Sequence, residues 1–406
     1  MNRLYCLTLC ALFVANMAMA QSPSKSQPRV FLLDAKWLVQ ARQRAQKHDK
    51  TFEAALAKLE QNAKKALAAG PFTVTSKTAA PPSGDKRDYS SQAPYWWPDP
   101  SKPNGLPYIR RDGERNPELE RYQDHRLMDE MAGAVKTLAL AYYFTGNEQF
   151  ADKATSLLRV WFLNPETRMN PNLRYAQFIP GINNGRGIGL IETRGLAELV
   201  DAIGLLAGSK SWTDADQKQL QSWFDQFLTW MLESKNGRDE SASENNHGTY
   251  YDVQTASFAL FVGKPELAKQ ILQTSQQKRI ARQVEPDGQQ PLELERTRSW
   301  SYSVMNLEGL ISLALLGDRV GVDLWSYKTP KGGSIRKAID YLKPFALEGQ
   351  KWTHKQITPL SLEEFHSLAR RAAAGYRDEQ FRAMTAKLPK LDPADIRNLL
   401  YPPIPN

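Results

Sequence analysis

Helical periodicity dominates the sequence from residue 124 onward, and it constrains the fold more than any other feature. Apolar residues recur at three- and four-residue spacing, beginning with Leu127, Met131 and Val135, which places them on one face of a helix. Polar turns such as Gly146-Asn147 separate the helical stretches, and short connections of this kind join antiparallel neighbours. Strand signals are few and short. We therefore predict an all-α fold, an α/α toroid (an incomplete α/α barrel) of paired antiparallel helices.

The pattern also predicts approximate bounds for the individual helices. Thr213-Asp-Ala-Asp216 resembles a capping box, which marks the start of one of them. No repeat of fixed length is visible, so the chain is not predicted to be a repeat protein. The predicted helices span residues 35–69 with a break near Asp49, 124–142, 150–162, 190–206, 213–233, 251–262, 265–285, 302–316, 335–347, 362–374 and 378–388.

The N-terminus has the features of a secretory signal. Arg3 precedes an apolar run from Leu4 to Val14, and Ala18-Met-Ala20 supplies small residues for cleavage. We expect residues 1–20 to be removed after Ala20 and the protein to be periplasmic or secreted. Residues 21–30 should form a flexible N-terminus, 31–390 a single helical domain, and 391–406 a proline-rich C-terminal tail. Both cysteines fall within the signal, so no disulfide, thiol nucleophile or cysteine metal site is expected.

The charge balance indicates an anionic partner. The sequence has 53 basic and 44 acidic residues, a net charge of +9, and a positive surface attracts and steers polyanions. It contains no long basic run and no nucleic-acid-binding motif, so an acidic polysaccharide is favoured over nucleic acid. No apolar stretch after the signal reaches the roughly 18 residues of a membrane span. Ordinary surface basicity is the alternative explanation, and the oligomeric state is left open.

Two polar clusters and one aromatic loop are unusual for a helical core. The first cluster, 243–254, contains Asn245-Asn-His-Gly-Thr-Tyr-Tyr-Asp-Val-Gln254, and the second, 293–302, contains Arg296-Thr-Arg-Ser-Trp-Ser-Tyr302. Buried polar groups without partners are costly, so these clusters should face a cleft. The loop around Tyr95, Trp96 and Trp97 could stack on sugar rings or fill a hydrophobic gap.

These motifs together resemble the alginate lyase superfamily, most closely polysaccharide lyase family 38 and more distantly family 5. The resemblance also covers Ala93-Pro-Tyr-Trp-Trp-Pro-Asp-Pro100, the segment 105–114, and Gly185-Arg186 with 189–193. It extends over roughly residues 88–316. It implies an α/α barrel and β-elimination on a 4-linked polyuronate, with no metal and no cofactor.

Site residues follow from the resemblance. Tyr302 matches the tyrosine that acts as acid and often as base, and Arg296 matches the arginine close to it. Asn246 and His247 match the pair beside the substrate carboxylate. The asparagine of a further loop would be Asn183 or Asn184, and the resemblance does not decide between them. The residues assigned to substrate binding are Asn183, Asn184, Arg186, Tyr95, Trp96, Trp97, His125, Tyr250 and Arg298.

The chemistry explains why these residue types are needed. Removing the C5 proton of a uronate leaves negative charge on the adjacent carboxylate, which donors such as Asn246, His247 and Arg296 can neutralise. A guanidinium can also lower the pKa of a nearby tyrosine. In mannuronate the C5 proton and the leaving oxygen lie on one face, so one tyrosine can serve both. In guluronate they lie on opposite faces, so His247 would be the base and Tyr302 the acid.

The leading hypothesis is an exported lyase for mannuronate-rich alginate, with glucuronan as the second substrate. A glycoside hydrolase on the same architecture would need two cleft carboxylates, for which Glu192, Asp252 and Glu295 are the candidates. A non-catalytic polysaccharide-binding protein that uses the aromatic loop is the third hypothesis.

Overall fold

The computed structural model describes residues 27–373, 375–376 and 378–401 of the chain. The predicted signal, residues 1–20, therefore lies outside the described residues. Over the described part the protein is predominantly helical. The α-helices are α1 Ala35–Gln46, α2 Lys50–Ala66, α3 Asp124–Thr145, α4 Glu148–Leu158, α5 Leu196–Leu205, α6 Asp214–Glu233, α7 Lys235–Ser241, α8 Asn246–Phe261, α9 Pro265–Ser275, α10 Ala281–Gln283, α11 Pro291–Leu294, α12 Ser299–Val320, α13 Ile335–Leu347, α14 Leu362–Ala373, α15 Glu379–Thr385 and α16 Arg397–Leu400.

Among the described residues, the strands form two small two-stranded sheets. The strands are β1 Ser90–Gln92, β2 Trp96–Trp97, β3 Ile109–Arg110 and β4 Tyr175–Phe178. β1 pairs with β4 in parallel, with Ser90 opposite Tyr175. β2 pairs with β3 in an antiparallel arrangement, with Trp96 opposite Arg110. These pairings place residues 90–92 against 175–178, and the aromatic residues 96–97 against 109–110.

Helix boundaries follow local capping chemistry. The predicted break near Asp49 is confirmed, because α1 ends at Gln46 and the Asp49 side chain accepts the Thr51 N–H at the start of α2. The predicted capping box is also confirmed, since Thr213 and Asp216 cap each other's backbone N–H groups. Helix α13 has the predicted bounds 335–347.

Helix α8 is the central helix, and its start differs from the prediction. It packs against α5, α6, α9 and α12, and every one of its residues except His247 is buried. A helix that is buried on all sides shows no amphipathic period. The polar first turn of α8 therefore did not read as helical, and the predicted start was residue 251. The Asn245 side chain caps the helix by accepting the His247 N–H. The first turn of α8 therefore carries Asn246 and His247.

The helix pairs surround a central cavity, which confirms the predicted all-α toroid. Residues of α3, α8, α12 and α14 all line that cavity. None of the described helices is long and apolar enough to cross a membrane.

Candidate active site

The central cavity has a volume of about 1160 Å³ and brings together segments that are far apart in sequence. Its walls come from the loop 91–96, the start of α3, the segment 177–194, the start of α8, and the first half of α12. Of the residues assigned to the site from the sequence, those that line it are Tyr95, Trp96, His125, Arg186, Asn246, His247, Tyr250, Arg296, Arg298 and Tyr302.

Tyr302 lies in the first turn of α12 and contacts two groups of the site. Its hydroxyl is 2.8 Å from that of Tyr95, and the Arg296 guanidinium lies over its ring, 3.7 Å from the ring centre. Burial and the Tyr95 hydroxyl raise the pKa of Tyr302, and Arg296 acts in the opposite direction. The expected lowering of the tyrosine pKa by arginine is therefore wrong as a net effect, because burial outweighs it. The resting phenol carries its proton.

Asp112 fixes the position of Arg296, a role that the sequence motifs did not indicate. Its carboxylate accepts Arg296 Nη2 at 2.8 Å and Nε at 3.3 Å. It also accepts the Thr297 hydroxyl at 3.0 Å. Burial alone would raise the pKa of Asp112, but the bonds from Arg296 and Thr297 lower it to about 2. Arg296 is thus held over Tyr302 with its charge balanced by a carboxylate.

His247 is oriented by a buried glutamate on α7. Its Nδ1 lies 2.8 Å from Glu240 Oε1, and the Glu240 side chain is only 1% exposed. A carboxylate acceptor at Nδ1 fixes the proton there, which leaves Nε2 as the nitrogen with a free lone pair. Because the imidazole lines the cavity, this arrangement is suited to a general base.

Asn246 is held by a second buried carboxylate. Glu293 accepts the Asn246 backbone N–H at 2.7 Å and its side-chain amide at 2.8 Å. Burial raises the pKa of Glu293, and the two bonds from Asn246 oppose that effect. The Asn246 side chain is fully buried, and its Oδ1 has no partner among the described residues. Asn246 therefore anchors the start of α8 at the cavity wall, and its role as a donor to the substrate stays a prediction.

A buried ion pair supports the loop in front of α8. Asp252 binds Arg279 through both carboxylate oxygens, at 2.8 and 2.9 Å. Arg279 also donates to the backbone carbonyls of Ser241 and Ser243. A side chain at Gly248 would collide with the Ser243 carbonyl and the Arg279 guanidinium. This packing requires a glycine directly after His247.

Arg186 lines the cavity from the segment that follows β4. Its Nη2 donates to Gln177 Oε1 at 2.8 Å, and its guanidinium lies 6.0 Å from the centre of the Trp96 ring. Gln177 also lines the cavity. Its backbone φ is 49°, a value that is uncommon for a residue other than glycine. The sequence analysis did not indicate Gln177. A left-handed backbone conformation at a single glutamine leaves no recognisable pattern in the sequence.

Three residues assigned to substrate binding do not line the cavity. Asn183 Oδ1 accepts the N–H groups of Ile179 and Gly185, so its side chain closes a turn, and Asn184 is exposed on that turn. Trp97 follows Trp96 in a strand, where successive side chains point to opposite faces. Its indole donates to the Glu114 carbonyl at 3.0 Å. Gln177 provides an amide in the cavity wall in place of Asn183 and Asn184.

The other assigned residues form the edges of the cavity. His125 lies 3.4 Å from Asp129 on α3. Tyr250 is buried and donates to the Met305 carbonyl at 3.2 Å. Arg298 precedes the first turn of α12, and its Nε has no partner among the described residues.

Comparison with known proteins gives a consistent result. Residues 73–352 match the family profile described as alginate lyase. A crystal structure of an alginate lyase from Bacteroides ovatus has 38% sequence identity and a TM-score of 0.89, covering 92% of this chain and 99% of that chain. No curated protein sequence matches the chain.

Two more distant structures share the fold. A variant of alginate lyase A1-III complexed with a tetrasaccharide has 16% identity and a TM-score of 0.59, covering 94% of this chain and 99% of that chain. Alginate lyase A1-III from Sphingomonas species A1 has 16% identity and a TM-score of 0.50, covering 86% of this chain and 96% of that chain. The family match extends over more than half of the sequence, and it agrees with the 38% identical structure. This chain belongs to the alginate lyase family and is a polysaccharide lyase.

Proposed function

We propose that the protein cleaves alginate, preferentially its mannuronate-rich regions, by β-elimination. The observation that carries the proposal is the convergence of two proton-transfer groups on one cavity. Tyr302 is held between Tyr95 and Arg296, and His247 is oriented by Glu240. Both line the same cavity, and its volume of about 1160 Å³ can hold several sugar units. The activity named for the structurally similar alginate lyases supports the choice of substrate.

In the proposed reaction a base removes the C5 proton of a uronate. The electron pair of that C–H bond forms the C4–C5 double bond, and the bond between C4 and the glycosidic oxygen breaks. Tyr302 gives its proton to the departing oxygen. The raised pKa of the phenol suits the acid role on the opposite-face route, where the proton that Tyr302 gives is its own.

The identity of the base depends on the stereochemistry of the substrate. For guluronate, the C5 proton and the leaving oxygen lie on opposite faces, and His247 Nε2 is the base. For mannuronate they share one face, and Tyr302 serves as base and acid in turn. Its phenol first loses its proton to solvent, and the phenolate, stabilised by the Arg296 guanidinium and a hydrogen bond from Tyr95, takes the C5 proton and passes it to the departing oxygen. Glucuronate has the configuration of mannuronate at C4 and C5, so glucuronan would follow the same-face route.

The hydrolase alternative receives little support from the positions of its candidate acids. Asp252 is engaged in the ion pair with Arg279. Glu295 is exposed and is not part of the cavity wall. Glu192 lines the cavity but accepts bonds from Tyr89 and Ser91. A hydrolase needs two carboxyl groups on either side of one bond.

We further propose that residues 1–20 direct export and are removed, so that the enzyme acts in the periplasm or outside the cell on an acidic polysaccharide. The division into a flexible 21–30 segment, a catalytic domain over 31–390 and a tail over 391–406 is part of the same proposal.

A substrate panel tests the proposed function. Purified protein is incubated with polymannuronate, polyguluronate and glucuronan, and the ultraviolet absorbance of the conjugated double bond is followed. We expect the fastest rise on polymannuronate. No rise on any of the three polymers would refute the proposal.

A further inference from the structure

Arg186 is a partly buried cation without a carboxylate partner. Within the described part of the chain it forms no ion pair, and its Nε is buried without a hydrogen-bond partner. Its one side-chain partner, Gln177, is neutral. Removing a guanidinium from water without supplying an anion is unfavourable, so this position favours a bound anion. Burial and the nearby Arg110 lower the pKa of Arg186 to about 10, while the charges of Glu192 and Glu240, which do not bond to it, act in the opposite direction; Arg186 is charged at neutral pH.

Two of the three donors expected for the substrate carboxylate, Asn246 and Arg296, already bind internal carboxylates. The Asn246 amide is fully buried and donates to Glu293. The Arg296 guanidinium is paired with Asp112 and lies over the Tyr302 ring. An incoming carboxylate would have to share either group with an internal carboxylate.

Arg186 also lies close to the helix that positions His247. The next residue, Gly187, packs so closely on α7 that a Cβ there would come within 3.1 Å of the Glu240 backbone nitrogen. Glu240 in turn binds His247 Nδ1. The C5 atom of a uronate carries both the proton and the carboxylate. The group that binds the carboxylate therefore has to lie beside the group that removes the proton.

We propose that Arg186 binds the carboxylate of the uronate whose C5 proton is removed, and that Gln177 aims its guanidinium. This inference rests on the proposed β-elimination. Gln177 holds Arg186 without neutralising it, and its own backbone N–H is fixed by the Ser91 hydroxyl at 2.8 Å. The positive charge of Arg186 is therefore available to stabilise the charge that develops on the substrate carboxylate as the proton leaves.

The sharpest test is Gln177→Glu, a change of nearly identical shape. The new carboxylate would pair with Arg186 and occupy the position of the substrate carboxylate. We expect kcat/KM on polyguluronate, where His247 is the proposed base, to fall about 100-fold, the loss typical of removing one transition-state donor. Gln177→Ala leaves Arg186 charged and should lose less activity. Arg186→Ala should lower kcat itself, and added guanidinium ion should restore part of it.

The controls separate this inference from the proposed function. Arg282→Ala removes an exposed arginine outside the cavity and should match the wild type. Arg298→Ala tests the other cavity arginine with an unpartnered Nε. The inference is overturned if Gln177→Glu retains full activity, or if Arg186→Ala raises KM and leaves kcat unchanged. An active wild-type enzyme with either result would leave the proposed lyase function intact, whereas an inactive wild type would refute both.

Discussion

Replacing Glu240 with glutamine should impair the enzyme without disturbing its fold. The substitution keeps the shape of the side chain and the acceptor for His247 Nδ1–H, but it removes the negative charge. That charge stabilises the imidazolium that forms when His247 takes a proton. The Glu240 side chain is 1% exposed and the Nδ1–Oε1 distance is 2.8 Å, so water does not screen the interaction.

The size of the effect can be worked from this contact. A hydrogen bond to a charged group contributes about 1.5–3 kcal/mol. Since 1.36 kcal/mol is a tenfold change in rate, Glu240→Gln should lower kcat/KM by about 10- to 150-fold. The loss should be larger on polyguluronate, where His247 is the proposed base, than on polymannuronate, where Tyr302 can take the proton.

Initial rates on the two homopolymers at saturating and limiting substrate provide the assay. Glu244→Gln is the matched control. Glu244 follows α7, the helix that carries Glu240, and its side chain is 62% exposed. Equal activity of Glu240→Gln and the wild type on polyguluronate, together with an inactive His247→Ala, would refute the orienting role of Glu240. Equal losses on both polymers would refute the division of labour between His247 and Tyr302.

Three further predictions concern chemistry, stability and pH. Tyr302→Phe should abolish product formation on polymannuronate while the free energy of unfolding falls by about 1 kcal/mol, because only the hydrogen bond with Tyr95 is lost; rate assays and urea denaturation test both parts. Asp252→Ala should destabilise the fold by about 3–5 kcal/mol, since it leaves Arg279 buried and unpaired, and urea denaturation measures the change. The pKa of Asp112 is lowered to about 2, so its contribution to stability is present above its ordinary pKa of about 4 and is lost as the pH falls toward 2. Urea midpoints measured over that range should depend less on pH in Asp112→Asn than in the wild type, and identical profiles would contradict this prediction.

Local chemistry made much of the fold predictable. The cap at Asp49, the capping box at Thr213 and the bounds of α13 each depend on neighbouring residues in the sequence. Other bounds were less accurate, since α12 was predicted at 302–316 and spans Ser299–Val320, and the start of α8 was missed. Its residues are buried on nearly all sides, and so its polar start could not be distinguished from a loop.

The site residues with side chains in the cavity could be found from their motifs, but their partners could not. Asp112 and Arg296 are 184 residues apart, and Glu293 reaches Asn246 across 47 residues. Nothing in a local pattern specifies such pairings. The sequence also could not show that Asn183 closes a turn while Gln177 reaches the cavity, because that depends on the backbone conformation at each position.

Product analysis of alginate digested in heavy-oxygen water tests the central claim most directly. Products are reduced with borohydride at once to prevent oxygen exchange at the anomeric carbon, and their masses are measured. Elimination by Tyr302 and His247 predicts products with a C4–C5 double bond and no oxygen from the solvent. Saturated products that carry solvent oxygen would contradict the account, because they would show that the bond is hydrolysed.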